Sequence, residues 1–186
     1  MNERSIMPAK SKPGSSNYLV LKWIRFVSIC LIVTLASAAG ISSLLALKDG
    51  AEFWVLPLIS MFSWLPLHRL SSGSEFGTAG MVNALFNAPV VLPAFTGSIA
   101  HLLLTYRSRW LAPVDLRTRA KGFFASIVLI SISALLLSEW DGGDVRIANF
   151  GSSLSSMVLL GWFPYVSSGA MLACGVISLW KSITHE

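Results

Sequence analysis

Four long apolar stretches alternate with polar connections along this chain of 186 residues. They cover approximately residues 26–47, 81–105, 122–138 and 154–180. A helix that crosses the hydrocarbon core of a bilayer needs about 20 mostly apolar residues, and a backbone inside lipid must satisfy its hydrogen bonds within its own segment. The pattern therefore predicts an all-α, polytopic membrane protein with four transmembrane helices.

A shorter apolar stretch at about 53–67 lies between the first two predicted spans. It contains Pro57 and Pro66 and is short for a crossing, so we interpret it as a segment at the membrane–water interface, held by Trp54 and Trp64. A re-entrant path and a fifth crossing are the alternatives. A fifth crossing would place the basic loop after the second span on the outer side.

The polar, proline- and serine-containing residues 1–17 predict a disordered N-terminus, and residues 18–186 predict one four-helix transmembrane domain. A cleavable signal peptide is the alternative for the first apolar stretch, because Ala36-Ser37-Ala38 resembles a cleavage site. The apolar run continues beyond that point to Leu47, which favours a membrane span.

The basic residues cluster on one side of this predicted topology. The N-terminal segment, the connection between the second and third spans, and Lys181 together hold 11 of the 14 Lys and Arg residues. Basic connections stay in the cytoplasm, so both termini are predicted to be cytoplasmic and the membrane to be a bacterial inner membrane. The middle connection contributes Arg107, Arg109, Arg117, Arg119 and Lys121. These cations either retain the connection in the cytoplasm or bind anionic lipid headgroups.

Composition supports this interpretation of the charge. The chain is 54% hydrophobic and 12% charged, whereas a soluble domain carries roughly 25% charged residues. Its net charge of +5 reflects residues that flank membrane segments and form no separate soluble domain. We therefore expect membrane lipid as a partner and no nucleic acid.

Small residues indicate how the helices pack. Close approach through small side chains stabilises helix pairs in lipid. Ala36 and Gly40 lie four residues apart in the first span, and Gly169 and Ala173 lie four apart in the fourth. We predict a contact between these two spans, with incidental spacing as the alternative. Prolines at 89, 93 and 164 predict kinks in the second and fourth spans.

Polar side chains inside the spans are the candidates for function. Asn83, Asn87 and His101 lie along the second span and are expected to share one broad face. They either hydrogen-bond to neighbouring helices or bind a partner helix or lipid headgroup. The central parts of the spans hold no acidic or basic residue, and no catalytic, metal-binding or cofactor-binding motif is present. We predict no catalytic residue, metal or cofactor.

The predicted outer connections are acidic and aromatic. A partner that approaches from outside would meet the second of them, between the third and fourth spans. Its candidate contact residues are Glu139, Trp140, Asp141, Asp144 and Arg146.

The chain resembles the immunity proteins of pore-forming colicins of the colicin A type. The resemblance lies in its opening, Met1-Asn2-Glu3-Arg4-Ser5-Ile6, in Ala88-Pro89-Val90, and in Thr105-Tyr106-Arg107. It implies four spans, cytoplasmic termini, a basic central loop, and binding of another membrane-embedded protein, the pore-forming domain of a bacteriocin. A small accessory subunit of an inner-membrane secretion, conjugation or export complex is the alternative function. An enzyme that acts on lipid with His101 as base is disfavoured, because no nucleophile or carboxylate is placed to assist it.

Overall fold

The structure, a computed structural model, describes residues 15–48, 50–62, 76–110, 115–137 and 153–184. These residues form seven α-helices and one 3₁₀ turn, and this part of the chain contains no strand. Four stretches are long and apolar enough to cross a membrane: Asn17–Ala46, Thr78–Tyr106, Leu116–Leu136 and Leu154–Thr184. The prediction of an all-α chain with four membrane-spanning helices is confirmed, and we call these stretches the first to fourth spans.

The first span is a continuous helix, α1, from Ser15 to Ala46. Its 32 residues extend roughly 48 Å, well beyond a hydrocarbon core of about 30 Å. The helix therefore begins before the predicted boundary at residue 26 and carries Lys22 and Arg25 in its first turns. Residues 15–17, assigned to the disordered terminus from the sequence, are helical, and residues 1–14 lie outside the described chain.

A short helix, α2, runs from Glu52 to Met61 within the predicted interfacial segment. Its 10 residues extend roughly 15 Å, about half the thickness of the hydrocarbon core, so α2 alone does not cross. Buried Ala51 and Val55 pack against buried Val82 of the second span. Residues 63–67 of the predicted segment lie outside the described chain.

The second span is interrupted near its middle. It consists of α3, Thr78–Asn87, a 3₁₀ turn, Ala88–Val90, and α4, Val91–Trp110. The turn contains Pro89, whose ring removes a backbone N–H donor and so breaks the α-helical hydrogen bonding. Pro93 lies in the first turn of α4, where the missing N–H has no helical partner to lose.

The third span, α5, is a single helix from Leu116 to Leu137. It starts six residues before the predicted boundary at 122, because the basic residues Arg117, Arg119 and Lys121 continue the helix. Lys and Arg are good helix formers, so charge ends the apolar stretch without ending the helix. Residue 138 lies outside the described chain.

The fourth span is also interrupted. A short helix, α6, covers Leu154–Leu160, and α7 covers Phe163–Thr184, with a break at Gly161 and Trp162. Ser153 caps α6, since its hydroxyl oxygen accepts a hydrogen bond from the Ser156 amide at 3.2 Å. Pro164 lies in the first turn of α7, just after the break.

The spans pack side by side in the order first, second, fourth, third. The second span separates the first from α7, and the first and fourth spans meet through α6. Half of the buried apolar residues of the described spans are alanines, among them Ala39, Ala94, Ala100 and Ala173. Close approach of the helix backbones therefore dominates the packing of this bundle.

Candidate functional site: a buried amide cluster and two hydroxyl contacts between spans

Three spans meet at one buried polar group, which we call the amide cluster: Ser43, Asn83, Asn87, Met157 and Gly161. The side-chain amide of Asn83 donates to the Ser43 hydroxyl at 3.0 Å and to the Met157 carbonyl at 3.3 Å. Asn83 in α3 thus bonds to the first span and to α6 at once. The Ser43 hydroxyl in turn donates to the Ala39 carbonyl, one turn earlier in α1.

Asn87 extends the amide cluster toward the interruption of the second span. Its side-chain amide donates to the side-chain Oδ1 of Asn83 at 2.9 Å. Asn87 is only 1% exposed, and its own Oδ1 has no hydrogen-bond partner within the described chain. The hydrogen bonds run from Asn87 to Asn83, and from Asn83 to both Ser43 and Met157, so the unpaired acceptor lies at the Asn87 end of the chain.

Gly161 makes room for the Asn83 amide. A methyl group at this position would stand 2.6 Å from the Asn83 Oδ1 atom and would overlap the Met157 carbonyl. Contacts below 3 Å force a shift of the neighbouring groups, so a larger residue here would displace the amide. The amide cluster therefore depends on the absence of a side chain at Gly161.

The third and fourth spans are joined by a second set of small and hydroxyl residues, which we call the serine seam. At its centre, the Ser133 hydroxyl donates to the Ser168 carbonyl and the Ser168 hydroxyl to the Ser133 carbonyl, both at 3.0 Å. The two hydroxyl oxygens lie 2.8 Å apart. The further members of the seam are Gly122, Ser126, Gly175 and Ser178, with Ser178 donating to the Gly122 carbonyl at 3.1 Å.

The first and second spans also approach each other closely at Ser28 and Gly97. The Ser28 and Thr96 hydroxyls are 3.3 Å apart, and a methyl group on Gly97 would lie 2.8 Å from the Ser28 Cβ. Beside this contact is an open apolar groove of about 720 Å³, the lateral groove. Trp23 and Val27 of α1 and Leu92 and Ile99 of α4 line its walls.

The predicted packing residues divide between two contacts. A methyl group on Gly40 would lie 3.2 Å from Val158 Cγ1, so Gly40 faces α6 of the fourth span, and Ala36 is half-buried on the same helix. Gly169 instead faces the second span, where a methyl group would lie 2.7 Å from the Ala94 Cβ. Ala173 is fully buried. The first span thus meets the beginning of the fourth, and Gly169 packs on α4.

The polar residues of the second span do not share one face. Asn83 and Asn87 are buried against the first and fourth spans, whereas His101 is exposed. The sequence-based expectation allowed for kinks at the prolines, but the 3₁₀ turn at Ala88–Val90 changes the helical register between the asparagines and His101. The other predicted partner-binding residues, Glu139, Trp140, Asp141, Asp144 and Arg146, lie outside the described chain.

The predicted basic loop is described in part. Arg117, Arg119 and Lys121 occupy the first turns of α5, while Arg107 and Arg109 belong to the last turns of α4, with side chains outside the described part. A hydrogen bond with the Thr118 hydroxyl lowers the pKa of Asp115, which precedes α5. Among the described residues, no three His, Cys, Asp or Glu side chains lie close enough to hold a metal ion.

Sequence reasoning missed Ser43, Gly161 and the serine seam. A signal for the seam is present in the spacing: Ser126 and Ser133 are seven residues apart, as are Ser168 and Gly175. A seven-residue repeat keeps one helix face against a neighbour. No comparable signal marks Gly161, because its importance depends on Asn83 in another span.

No known protein family, curated protein or solved structure matches this chain. The resemblance to colicin immunity proteins therefore stays a prediction, and function has to be inferred from the residues of the chain itself.

Proposed function

We propose that this protein is a non-catalytic, multi-pass membrane protein that binds another membrane-embedded protein through its helix surfaces. One observation carries the proposal: five of the seven buried polar residues of the described spans bond to another span, and only Asn87 and Ser126 bond within their own. Ser133 bonds to Ser168, and Asn83 bonds to Ser43 and Met157. These polar side chains thus hold the spans to one another, and the outward-facing surface that a partner protein could contact is apolar.

The best-defined feature of that surface is the lateral groove between the first and second spans. Trp23 is 64% exposed at one end, and Leu92 is 69% exposed at the other. An apolar cleft of this kind accepts a helix or an acyl chain by shape and dispersion contacts.

Blocking a pore-forming bacteriocin is the specific function that we put first. The test is to express the chain in a susceptible strain and to challenge it with a panel of pore-forming toxins. Protection against one member is the expected result. Correct membrane insertion with no protection against any member would remove this function.

The second candidate function is that of a small accessory subunit of an inner-membrane complex. The exposed apolar face of the third span favours this function. Among its neighbours in the described chain, this span packs chiefly on the fourth, and Phe124, Val128 and Leu135 on its other face are exposed. Purification in mild detergent distinguishes the candidates. A stoichiometric partner supports a subunit, whereas a lone polypeptide supports the immunity function.

We further propose that both termini lie in the cytoplasm of a bacterium and that the membrane is the inner one. The basic residues of α5 and Lys181 at the end of α7 lie at the same end of the antiparallel third and fourth spans. Cysteine labelling at Ser15 and at Thr184 tests the orientation. Labelling of the two positions from opposite sides would contradict it.

A further inference from the structure

The short helix α2 carries apolar side chains around its whole circumference. Val55 is buried against α3, and the opposite side of the helix is exposed. We call that side the outward face of α2, and it consists of Phe53, Leu56, Pro57, Ser60 and Met61. Beyond Glu52 at its first position, α2 holds no charged residue. A helix that lies flat on a membrane surface needs a strongly polar side turned to water, so α2 does not have the composition of an interfacial helix.

The one hydroxyl group of α2 is bonded within the helix. Ser60 donates to the Pro57 carbonyl at 2.8 Å. A hydroxyl that is satisfied in this way is compatible with the bilayer core, which offers no water to bond to it. The apolar side chains of the outward face are open by contrast, with Phe53 at 89% and Met61 at 76% exposed, and their contact with water would be unfavourable. The chemistry of this face therefore matches acyl chains.

The contacts of α2 show that it runs into the membrane alongside α3. Val55 in its first half clusters with Val82, and Phe62, just beyond its end, packs against the cluster of Ala84 and Leu85. Because α3 runs from the end of the second span toward its middle, Leu85 lies deeper than Val82. The end of α2 is thus deeper in the membrane than its beginning.

The two helices that flank α2 in the chain reach the membrane surface at the same end of the bundle. Ala46 at the end of α1 packs against the cluster that contains Val82, near the beginning of α3. The turn from α1 toward α2 is tight, since the Ala51 amide donates to the Lys48 carbonyl at 3.0 Å. A chain that enters the membrane at this turn and stands at the same end again by Thr78 makes no additional crossing.

The size of the outward face favours lipid over a protein as its cover. A helix of 10 residues is roughly 15 Å long and about 10 Å wide, which gives a footprint of roughly 150 Å². Stable protein interfaces bury about 800 Å² on each partner, several times this footprint. The length of roughly 15 Å instead equals about half of the hydrocarbon core, the thickness of one leaflet.

We propose that α2 is a re-entrant helix, inserted in the outer half of the bilayer, whose outward face binds the acyl chains of lipids. The re-entrant path, which the sequence left open, replaces the interfacial position as our interpretation of this segment. The word outer rests on the proposed orientation of the termini. Insertion itself depends neither on that orientation nor on a protein partner.

The depth of α2 is measured with a nitroxide spin label on the protein in liposomes of phosphatidylcholine and phosphatidylglycerol. In a background with Cys30→Ser and Cys174→Ser, the label is attached at Phe53→Cys or Ser60→Cys, two positions of the outward face about 10 Å apart along the helix. Oxygen concentrates in hydrocarbon and a nickel chelate stays in water, so the ratio of their collision rates reports depth. The label at position 60 should lie roughly 5–10 Å deeper than the label at position 53. Equal depths would describe a helix lying flat and would overturn insertion.

Two exposed positions of the first span provide the depth scale. Leu47 ends the apolar stretch at 43% exposure, and Ile41, 60% exposed, lies about 9 Å deeper along α1. The ratio of oxygen to nickel collisions at Ser60→Cys should resemble that at Ile41→Cys, and the ratio at Phe53→Cys should resemble that at Leu47→Cys. Low collision rates with both reagents at Ser60→Cys would reveal a protein cover, and this result would overturn the contact with acyl chains.

A charge on the outward face distinguishes hydrocarbon from water by its effect on stability. Met61→Asp removes little packing, so a position in water would tolerate it, whereas a carboxylate in hydrocarbon is strongly unfavourable. It should raise the equilibrium constant of unfolding in SDS titration roughly tenfold. Leu116→Asp is the matched control, because Leu116 is also highly exposed, at 82%, but lies beside the charged residues at the start of α5. Equal effects of the two aspartates would contradict a membrane-inserted α2.

Discussion

The reciprocal hydroxyl pair at the centre of the serine seam allows a quantitative test of what holds the third and fourth spans together. Ser133 and Ser168 each donate to the other's carbonyl at 3.0 Å, and both residues are at most 3% exposed. Hydrogen bonds between transmembrane helices contribute about 0.6 kcal/mol on average and about 1.7 kcal/mol at most. Two such bonds at one contact place each serine toward the upper part of this range.

Ser133→Ala and Ser168→Ala should therefore each lower the free energy of unfolding by about 0.6–1.7 kcal/mol. Alanine leaves the backbone carbonyls bonded within their helices, so neither variant creates an unpaired group. The double variant should lower the free energy of unfolding by less than the sum of the two single effects, because the two hydroxyls contact each other. The assay is reversible unfolding by SDS titration in mixed micelles, followed by tryptophan fluorescence.

Ser131→Ala provides the matched control, since Ser131 lies on the exposed face of the same helix two residues away. It should change stability by less than about 0.5 kcal/mol. If Ser133→Ala and Ser131→Ala prove indistinguishable, the hydroxyl pair contributes nothing measurable, and close packing alone holds the seam.

Three further predictions follow from the glycines and from Asp115. Gly161→Ala should destabilise the protein by about 1–3 kcal/mol in the same SDS titration, because the methyl overlaps the Met157 carbonyl, whereas Ser155→Ala on the exposed face of α6 should not. Gly169→Ala should lower the free energy of unfolding more than Gly40→Ala. A methyl group at Gly169 would lie less than 3 Å from the Val91 carbonyl and from Ala94, whereas one at Gly40 would lie 3.2 Å from Val158. The reverse order of denaturation midpoints would contradict the packing described. Thr118→Val should raise the pKa of Asp115 toward its ordinary 3.8, measured by NMR titration, while Thr118→Ser should not. Because the folded-state pKa is lowered, the stabilisation from this carboxylate is present above pH 3.8 and is lost as the pH falls through the lower folded value.

The spans could be predicted from the sequence because hydropathy is a property of each helix alone. Four apolar stretches of sufficient length indicate four spans whatever their neighbours are. The predicted ends of the spans were less accurate. Helix α5, for example, begins at Leu116 and not at residue 122. Hydropathy records where apolar residues stop, whereas Arg117 and Lys121 remain compatible with a helix that emerges from the membrane.

The order of the spans could not be predicted in the same way, because it depends on pairs of helices. Small residues spaced four apart suggested a contact between the first and fourth spans, yet Gly169 faces the second. A glycine in a span indicates that another helix packs closely against it, but it does not indicate which helix. The same holds for Asn83, whose partners Ser43 and Met157 lie 40 and 74 residues away in the chain.

The distribution of polar contacts divides the bundle into a fixed part and an adjustable part. At the serine seam, the hydroxyl of each central serine finds a partner across the contact, and breaking the contact would lose two bonds at once. At the amide cluster, one acceptor is unpaired, one bond is long, and both crossing helices are interrupted by Pro89 and Gly161. The Asn83 amide nevertheless makes two bonds to other spans there, as many as the central serines make at the seam. A rearrangement of this protein should therefore affect the amide cluster, where one acceptor has no bond to lose, before it separates the third and fourth spans.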